Sequence, residues 1–173
     1  MKKDFVMPIL VLSLICLVIS GALAFTDSVT RPVIAEAAAL RTESVRLEII
    51  PQATGFEIIK MDGLPETVVG VYRTVNDAGY IFMVVSSGYG GDIHLICGVN
   101  MDGKIIHCTT LAHSETQGMG SRITEREYED QYIGMSGDLD EISAVSGATI
   151  SSQAYVNGIK DALTAFELVK GES

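Results

Sequence analysis

Residues 146–152 of this 173-residue chain read SGATISS, a segment rich in hydroxyl groups that directly precedes an amphipathic run. A helix that begins here would offer unpaired backbone N–H groups and a partial positive charge, the two features that bind phosphate at helix N-termini. Gly147 would let a bulky phosphate approach the backbone closely. Ser and Thr are also ordinary N-cap residues, and capping alone is the alternative interpretation. Because one cap does not use so many hydroxyl groups, we expect a helix start that is ready to bind phosphate.

Residues 113–120 form a second segment that could carry chemistry, with the sequence HSETQGMG. Gly118 and Gly120 would allow the backbone to approach a ligand, while Glu115 offers an acceptor and Thr116 a donor. Taken alone, the segment is also typical of a plain glycine-rich connection between a strand and a helix. No second residue stands at a metal-binding spacing from His113, so this segment predicts no metal site.

A sheet and two helices are the elements that must position these segments. Four β-like runs are bounded by turn residues, and the short links between them predict antiparallel pairing. The runs are residues 67–74, 80–86, 93–100 and 104–111. A short helix is predicted at residues 124–132, and a longer one at residues 151–169, where apolar side chains recur every three or four positions. The predicted fold class is therefore α+β, with an antiparallel sheet flanked by helices.

An apolar segment without charged residues, at positions 6–25, precedes this domain. At about 1.5 Å per residue, a helix of this length crosses the ~30 Å hydrocarbon core of a bilayer, so we expect a single-pass membrane anchor. A cleaved signal peptide is the alternative, because Lys2 and Lys3 precede the segment and Ala22-Leu23-Ala24, near its end, has the small-x-small form of a cleavage site. A stem helix should continue from the anchor and end at Pro51. The predicted division is a cytoplasmic N-terminus at 1–5, an anchor at 6–25, a stem helix at 26–51 and an extracytoplasmic domain at 52–173.

The charge of the chain excludes one class of partner. Twelve Lys and Arg residues stand against 22 Asp and Glu residues, which gives a net charge of −10 at pH 7. A nucleic-acid-binding protein needs a basic face that neutralises phosphates. We therefore expect no nucleic-acid partner.

Two cysteines lie on either side of the predicted turn at Asp102-Gly103. If Asp-Gly forms a two-residue hairpin loop, Cys97 faces Cys108 with Cα atoms about 5.5 Å apart, which is within reach of a disulfide. A disulfide and a pair of small buried thiols are both open interpretations. The chain has no CxxC or CxxCH motif, so neither a zinc ribbon nor an attached haem is indicated.

In their order and spacing, the two segments resemble the covalent FMN-binding domain family, and in particular the G subunit of the Rnf ion-translocating electron-transport complex. The C subunit of the sodium-translocating NADH:quinone reductase is a relative of that protein. The resemblance covers the whole chain, and its most specific part is the SGAT sequence at residues 146–149. It also includes the GYGG sequence at residues 88–91 and the segment at residues 113–120.

The resemblance implies that FMN is attached covalently to Thr149 through a phosphoester bond, which a separate flavin transferase makes from FAD. It implies no catalytic acid or base, because the flavin carries the redox chemistry. The implied cofactor-binding residues are Thr149, Ser146, Gly147, Ala148, Glu115, Thr116, Gly118, Met119 and Gly120. The chain departs from the family at Gln117, where Pro is usual, at Met119, where Leu is usual, and at Ser143, where Asp is common.

The resemblance also implies a function and a location. The chain would be an electron-carrying subunit of a membrane complex that couples electron transfer between ferredoxin and NAD to the movement of Na⁺ or H⁺. Its partners would be the membrane, the other subunits of the Rnf-type complex and, during maturation, the flavin transferase. Two alternatives stay open: a stand-alone anchored flavoprotein that donates electrons to an extracytoplasmic reductase, and a non-redox module in which residues 146–149 only cap a helix.

Overall fold

A computed structural model of the chain describes residues 2–171, with side chains described for residues 6–31 and 41–171. The chain divides into two compact units between residues 43 and 44. The helices are α1 (Lys2–Ile49), α2 (Arg126–Glu129) and α3 (Thr149–Gly171), with short 3₁₀ turns at Gly120–Thr124 and Asp130–Tyr132. The strands are β1 (Phe56–Ile59), β2 (Val68–Thr74), β3 (Tyr80–Ser87), β4 (Asp92–Val99) and β5 (Ile105–His113). The second unit is thus an α+β domain, which confirms the predicted fold class.

The first unit consists of the greater part of α1. Its segment Val6–Arg31 is 26 residues long, and it is apolar and long enough to cross a membrane. The large apolar side chains of this segment are exposed, as shown by Leu17 and Phe25 at 70% and 71%. Such a surface costs free energy in water but not in hydrocarbon. The segment therefore fits a single membrane span.

The sheet of the second unit has five strands in the order β1-β2-β3-β4-β5, and every neighbouring pair is antiparallel. The four predicted strands are confirmed, with ends that differ by one or two residues. Strand β1 was not predicted, because it has only four residues, FEII, and its burial does not alternate. It lies at the edge of the sheet and pairs with β2 alone.

The hairpin between β4 and β5 brings Cys97 opposite Cys108, as the sequence predicts. The predicted two-residue loop is wrong, because Asn100 and Lys104 close a longer one with an N–H···O bond of 2.9 Å. The Asn100 side chain accepts the N–H groups of Asp102 and Lys104, and a register shift beside Gly98 restores the pairing of the cysteines. Both cysteines are free thiols, and burial raises the pKa of Cys97 to about 12.

Helix α3 covers one face of the sheet and forms the main core. Its buried side chains pack against β3 and β4, with Tyr155, Ile159 and Phe166 fully buried. Gly158 allows the close approach, since a Cβ atom there would meet the Ser86 Oγ. The helix was predicted from residue 151, and it begins two residues earlier, at Thr149.

The last turn of α1 packs on the opposite face. Ile49 and Ile50 are 2% and 3% exposed, and they form a second core cluster with Ile81 and Ile96. A Cβ atom on Gly98 would collide with the Ile49 side chain, so Gly98 supplies the space in which Ile49 sits. The end of α1 is therefore part of the folded domain.

The predicted helix at residues 124–132 is wrong as a single element. Glu125 has extended backbone angles (φ −72°, ψ 137°), and these separate a 3₁₀ turn from the four-residue helix α2. A second 3₁₀ turn follows at Asp130–Tyr132. The segment was predicted as a helix because Tyr128 and Tyr132, which are both buried, are four residues apart.

Candidate cofactor site

The start of α3 has no side-chain cap. The Ala148 carbonyl accepts the first helical hydrogen bond, from the Ser152 N–H at 2.9 Å, so Ala148 is the N-cap and has no side-chain acceptor. Two nearby hydroxyl groups have other partners: Ser151 Oγ donates to Glu115, and Ser152 Oγ accepts the Val145 N–H at 3.0 Å. The interpretation in which the hydroxyl groups of residues 146–149 serve as a helix cap is therefore wrong.

This arrangement leaves donors available at the helix end. Among the described residues, the N–H groups of Thr149, Ile150 and Ser151 have no acceptor. The Thr149 side chain is exposed, and its hydroxyl group makes no hydrogen bond within the described part of the chain. A free hydroxyl group thus lies beside unpaired backbone donors at the positive end of a helix of 23 residues.

A cavity of about 390 Å³ lies at this helix start, and both segments that the sequence singled out line it. Of the predicted cofactor-binding residues, all but Ser146 and Gly118 line the cavity. Sequence reasoning missed three lining residues, which are Tyr89, Ile150 and Ser151. The GYGG sequence was a possible signal for Tyr89, and an exposed Ile in the first turn of an amphipathic helix was a possible signal for Ile150.

Glu115 joins the three chain segments that surround the cavity. Its side chain is 6% exposed, and one carboxylate oxygen accepts the N–H groups of Tyr89 at 2.8 Å and Gly90 at 3.2 Å. The other oxygen accepts the Ser151 hydroxyl at 2.8 Å. Glu115 therefore ties the GYGG loop and the loop that follows β5 to the first turn of α3.

The loop after β5 is held by its own hydrogen bonds. The Thr116 carbonyl accepts the N–H groups of Met119 and Ser121, and Ser121 Oγ accepts the Gly118 N–H at 2.9 Å. Gly118 has a φ of 75°, which a glycine adopts without strain. The loop is thus a closed turn that does not depend on a proline at position 117.

A buried cluster of tyrosines supports the start of α3 from behind. The Tyr132 hydroxyl donates to the Tyr128 hydroxyl at 3.0 Å, which donates to the Ser152 carbonyl at 3.3 Å. Burial raises the pKa of both tyrosines, so they are neutral at physiological pH. The neighbouring Glu129 accepts the Thr110 N–H at 2.8 Å, and burial raises the pKa of its carboxyl group.

The cavity has two chemically different parts. Tyr89, Met119 and Ile150 contribute large apolar side chains that are 74%, 55% and 57% exposed. The unpaired N–H groups of the first turn of α3 contribute an anion-binding end. Among the described residues, no three His, Cys, Asp or Glu side chains are grouped so as to hold a metal ion. The site fits a ligand with an apolar surface and an anionic group.

Comparison with known proteins agrees with this geometry. Residues 88–164 match the family described as FMN-binding domain. The G subunit of an ion-translocating oxidoreductase complex from Methanosarcina acetivorans is 30% identical over 177 residues, which cover 94% of each chain. The chain belongs to this G-subunit family. The resemblance seen in the sequence is therefore confirmed.

Other members of the G-subunit family cover most of the chain as well. The G subunit of the Na⁺-translocating ferredoxin:NAD⁺ oxidoreductase complex of Acetobacterium woodii is 26% identical, over 91% of this chain and 89% of the relative. The G subunit of an ion-translocating oxidoreductase complex of Shewanella piezotolerans is 28% identical, over 96% of this chain and 91% of the relative. All the residues that line the cavity fall inside the FMN-binding domain match.

Proposed function

We propose that Thr149 carries FMN through a phosphoester bond. The single observation that carries the proposal is the exposed Thr149 hydroxyl group, which is free of hydrogen bonds at the edge of a cavity inside the FMN-binding domain match. A flavin transferase would supply the FMN from FAD. The Thr149 oxygen would form a bond to the FMN phosphorus, the pyrophosphate bond of FAD would break, AMP would leave, and the hydroxyl proton would pass to solvent.

The backbone N–H groups at the start of α3 favour such a linkage electrostatically, while the Glu115 carboxylate, which accepts the Ser151 hydroxyl of the same turn, acts in the opposite sense. The phosphodiester retains one negative charge, and the unpaired N–H groups of the first turn lie beside Thr149. A negative charge at a helix N-terminus is stabilised by about 0.3–1 kcal/mol when exposed and by up to ~2 kcal/mol when partly buried. This stabilisation matters here, because the chain as a whole carries a net charge of −10.

The residues around Thr149 also suit the rest of FMN. Tyr89, Met119 and Ile150 provide apolar surface for the flavin ring, and Thr116 adds a hydroxyl group at the cavity wall. When bound, FMN accepts and donates electrons, while the protein holds and orients it. A covalent bond removes the need for tight reversible binding at this partly open site. We assign no catalytic acid or base.

We further propose that this flavoprotein carries electrons within an ion-translocating membrane complex, because its relatives are named as G subunits of ion-translocating oxidoreductase complexes. Residues 6–25 contain no ionisable side chain except Cys16, so a span of this composition offers no ion path. Ion movement would belong to the other subunits. We place residues 1–5 in the cytoplasm and the FMN-binding domain on the extracytoplasmic side, which is the location that the resemblance implies.

Intact-mass spectrometry of the full chain, co-expressed with a flavin transferase, tests the attachment. We expect the wild-type chain to gain the mass of FMN less one water molecule. Thr149→Ala should stay unmodified, whereas Thr164→Ala, which removes an exposed hydroxyl group farther along α3, should gain the full mass. An unmodified wild-type chain, under conditions that modify a known family member, would refute the proposal.

A further inference from the structure

Glu115 is a buried anionic side chain without a cationic partner. The residue is 6% exposed, and its carboxylate accepts three hydrogen bonds, all from neutral donors: the N–H groups of Tyr89 and Gly90 and the Ser151 hydroxyl. Within the part of the chain whose side chains are described, no Lys or Arg forms an ion pair with it. A buried charge without a counter-ion is costly, even when it is hydrogen-bonded.

The two loops are shaped around this carboxylate. A Cβ atom on Gly88 would collide with one carboxylate oxygen of Glu115, and a Cβ atom on Gly120 would collide with the other. These two glycines therefore provide space for the side chain of Glu115 and not only for a ligand. A neutral glutamine has nearly the same size and could accept the same two N–H groups. Holding the loops together by hydrogen bonds therefore does not require a negative charge at this position.

The charge lies in the wall of the cavity that we assign to FMN. Reduction adds negative charge to the flavin ring, and a fixed negative charge nearby opposes that change. Because Glu115 is buried, solvent screens its charge less than it would screen a charge on an exposed side chain.

We propose that Glu115 lowers the reduction potential of the bound FMN through its buried negative charge. This inference rests on the proposed function, because it requires FMN in the cavity. Glu115 is then a residue that tunes the cofactor, in addition to positioning the loops.

Two matched variants of the full chain separate the effect of the Glu115 charge from the effect of its hydrogen bonds. Glu115→Gln removes the charge and keeps the size of the side chain. Ser151→Ala keeps the charge but removes one of the three hydrogen bonds that hold it. Each variant is co-expressed with the flavin transferase, its FMN content is measured by intact mass, and the flavin absorbance is then followed during a redox titration at pH 8.

The proposal predicts that Glu115→Gln shifts the midpoint potential to more positive values. At the wild-type midpoint of the titration, the ratio of reduced to oxidised flavin should therefore be higher in Glu115→Gln than in the wild-type chain. Ser151→Ala should not shift the midpoint potential to more positive values, because the carboxylate charge is retained and one hydrogen bond that stabilises it is lost.

Three results would overturn the proposal. Potentials that shift in the same direction in both variants would indicate only a loosened cavity, and an unchanged potential in Glu115→Gln would indicate that the charge has no effect. A Glu115→Gln chain that takes up no flavin, beside a wild-type chain that does, would assign Glu115 a structural role instead. If the wild-type chain itself stays unmodified, the proposed function fails, and this inference fails with it.

Discussion

Ile49, in the last turn of α1, is the residue whose replacement most sharply tests where the folded domain begins. Its side chain is 2% exposed and lies against Ile81 and Ile96 in the space above Gly98. Ile49→Ala removes three carbon atoms from this site, which is worth about 2.4 kcal/mol at about 0.8 kcal/mol per buried carbon. The cavity left behind adds to this loss, so we expect the free energy of unfolding to fall by about 3–5 kcal/mol.

Leu47→Ala is the matched control, because it removes the same number of carbon atoms from the same turn. Leu47 is 47% exposed, so its replacement should cost less than about 1 kcal/mol. Urea unfolding measures the loss in free energy of unfolding for each variant, in a fragment that spans residues 44–173, the second compact unit. Each loss is calculated from the shift in the urea midpoint, provided that the dependence of the unfolding free energy on urea concentration is the same as in the wild-type fragment. Equal losses in the two variants would contradict the packing of α1 against the sheet.

Three further predictions concern the site, its support and its partners. Gly120→Ala should prevent FMN attachment, as measured by intact mass, because the new Cβ atom would collide with the Glu115 carboxylate. Full attachment would show that the site does not depend on the close contact between Gly120 and Glu115. The raised pKa of Glu129 means that the folded chain binds its proton more tightly than the unfolded chain, so stability should fall as pH rises from about 4.5 through the folded pKa. Glu129→Gln should remove that fall in the free energy of unfolding, which urea unfolding measures across this pH range. If the variant keeps the same pH profile as the wild-type chain, the pH dependence does not come from Glu129. The tagged full chain should co-purify from its native membrane with integral membrane subunits. If the chain is recovered without other subunits, the stand-alone flavoprotein is favoured.

Much of the site could be predicted because its residues lie in two continuous segments. The hydroxyl-rich segment before an amphipathic run predicted the helix start at which Thr149 lies. The same reasoning did not show that Ala148 occupies the N-cap, since the position of the first helical hydrogen bond depends on how α3 docks on the sheet. The capping alternative could therefore be rejected only from the structure.

Contacts between distant segments could not be predicted from local patterns. The sequence showed Glu115 as an acceptor in a glycine-rich loop, but its bonds to Tyr89 and Ser151 join residues that are 26 and 36 positions away. The same limit applies to Ile49, because the sequence predicts that it lies near the end of the stem helix but not which residues it contacts. Its burial is determined by the space above Gly98.

The pairing of Cys97 with Cys108 was predicted, although the reason for it was incomplete. A two-residue loop predicts this register directly, whereas the observed loop is longer and a register shift beside Gly98 compensates for it. The side chain of Asn100 stabilises the longer loop by accepting two N–H groups. Turn chemistry of this kind depends on a flanking side chain, which the Asp-Gly pattern alone does not include.

Fragmentation mass spectrometry of the flavin-bearing peptide shows which residue carries FMN. The wild-type chain, matured with a flavin transferase, is digested so that residues 146–152 fall in one peptide, and fragment ions then locate the added mass among its hydroxyl groups. We expect all of the FMN on Thr149, because the hydroxyl groups of Ser151 and Ser152 are engaged in hydrogen bonds and Ser146 does not line the cavity. Flavin on another of these residues, or a peptide without flavin, would contradict this expectation.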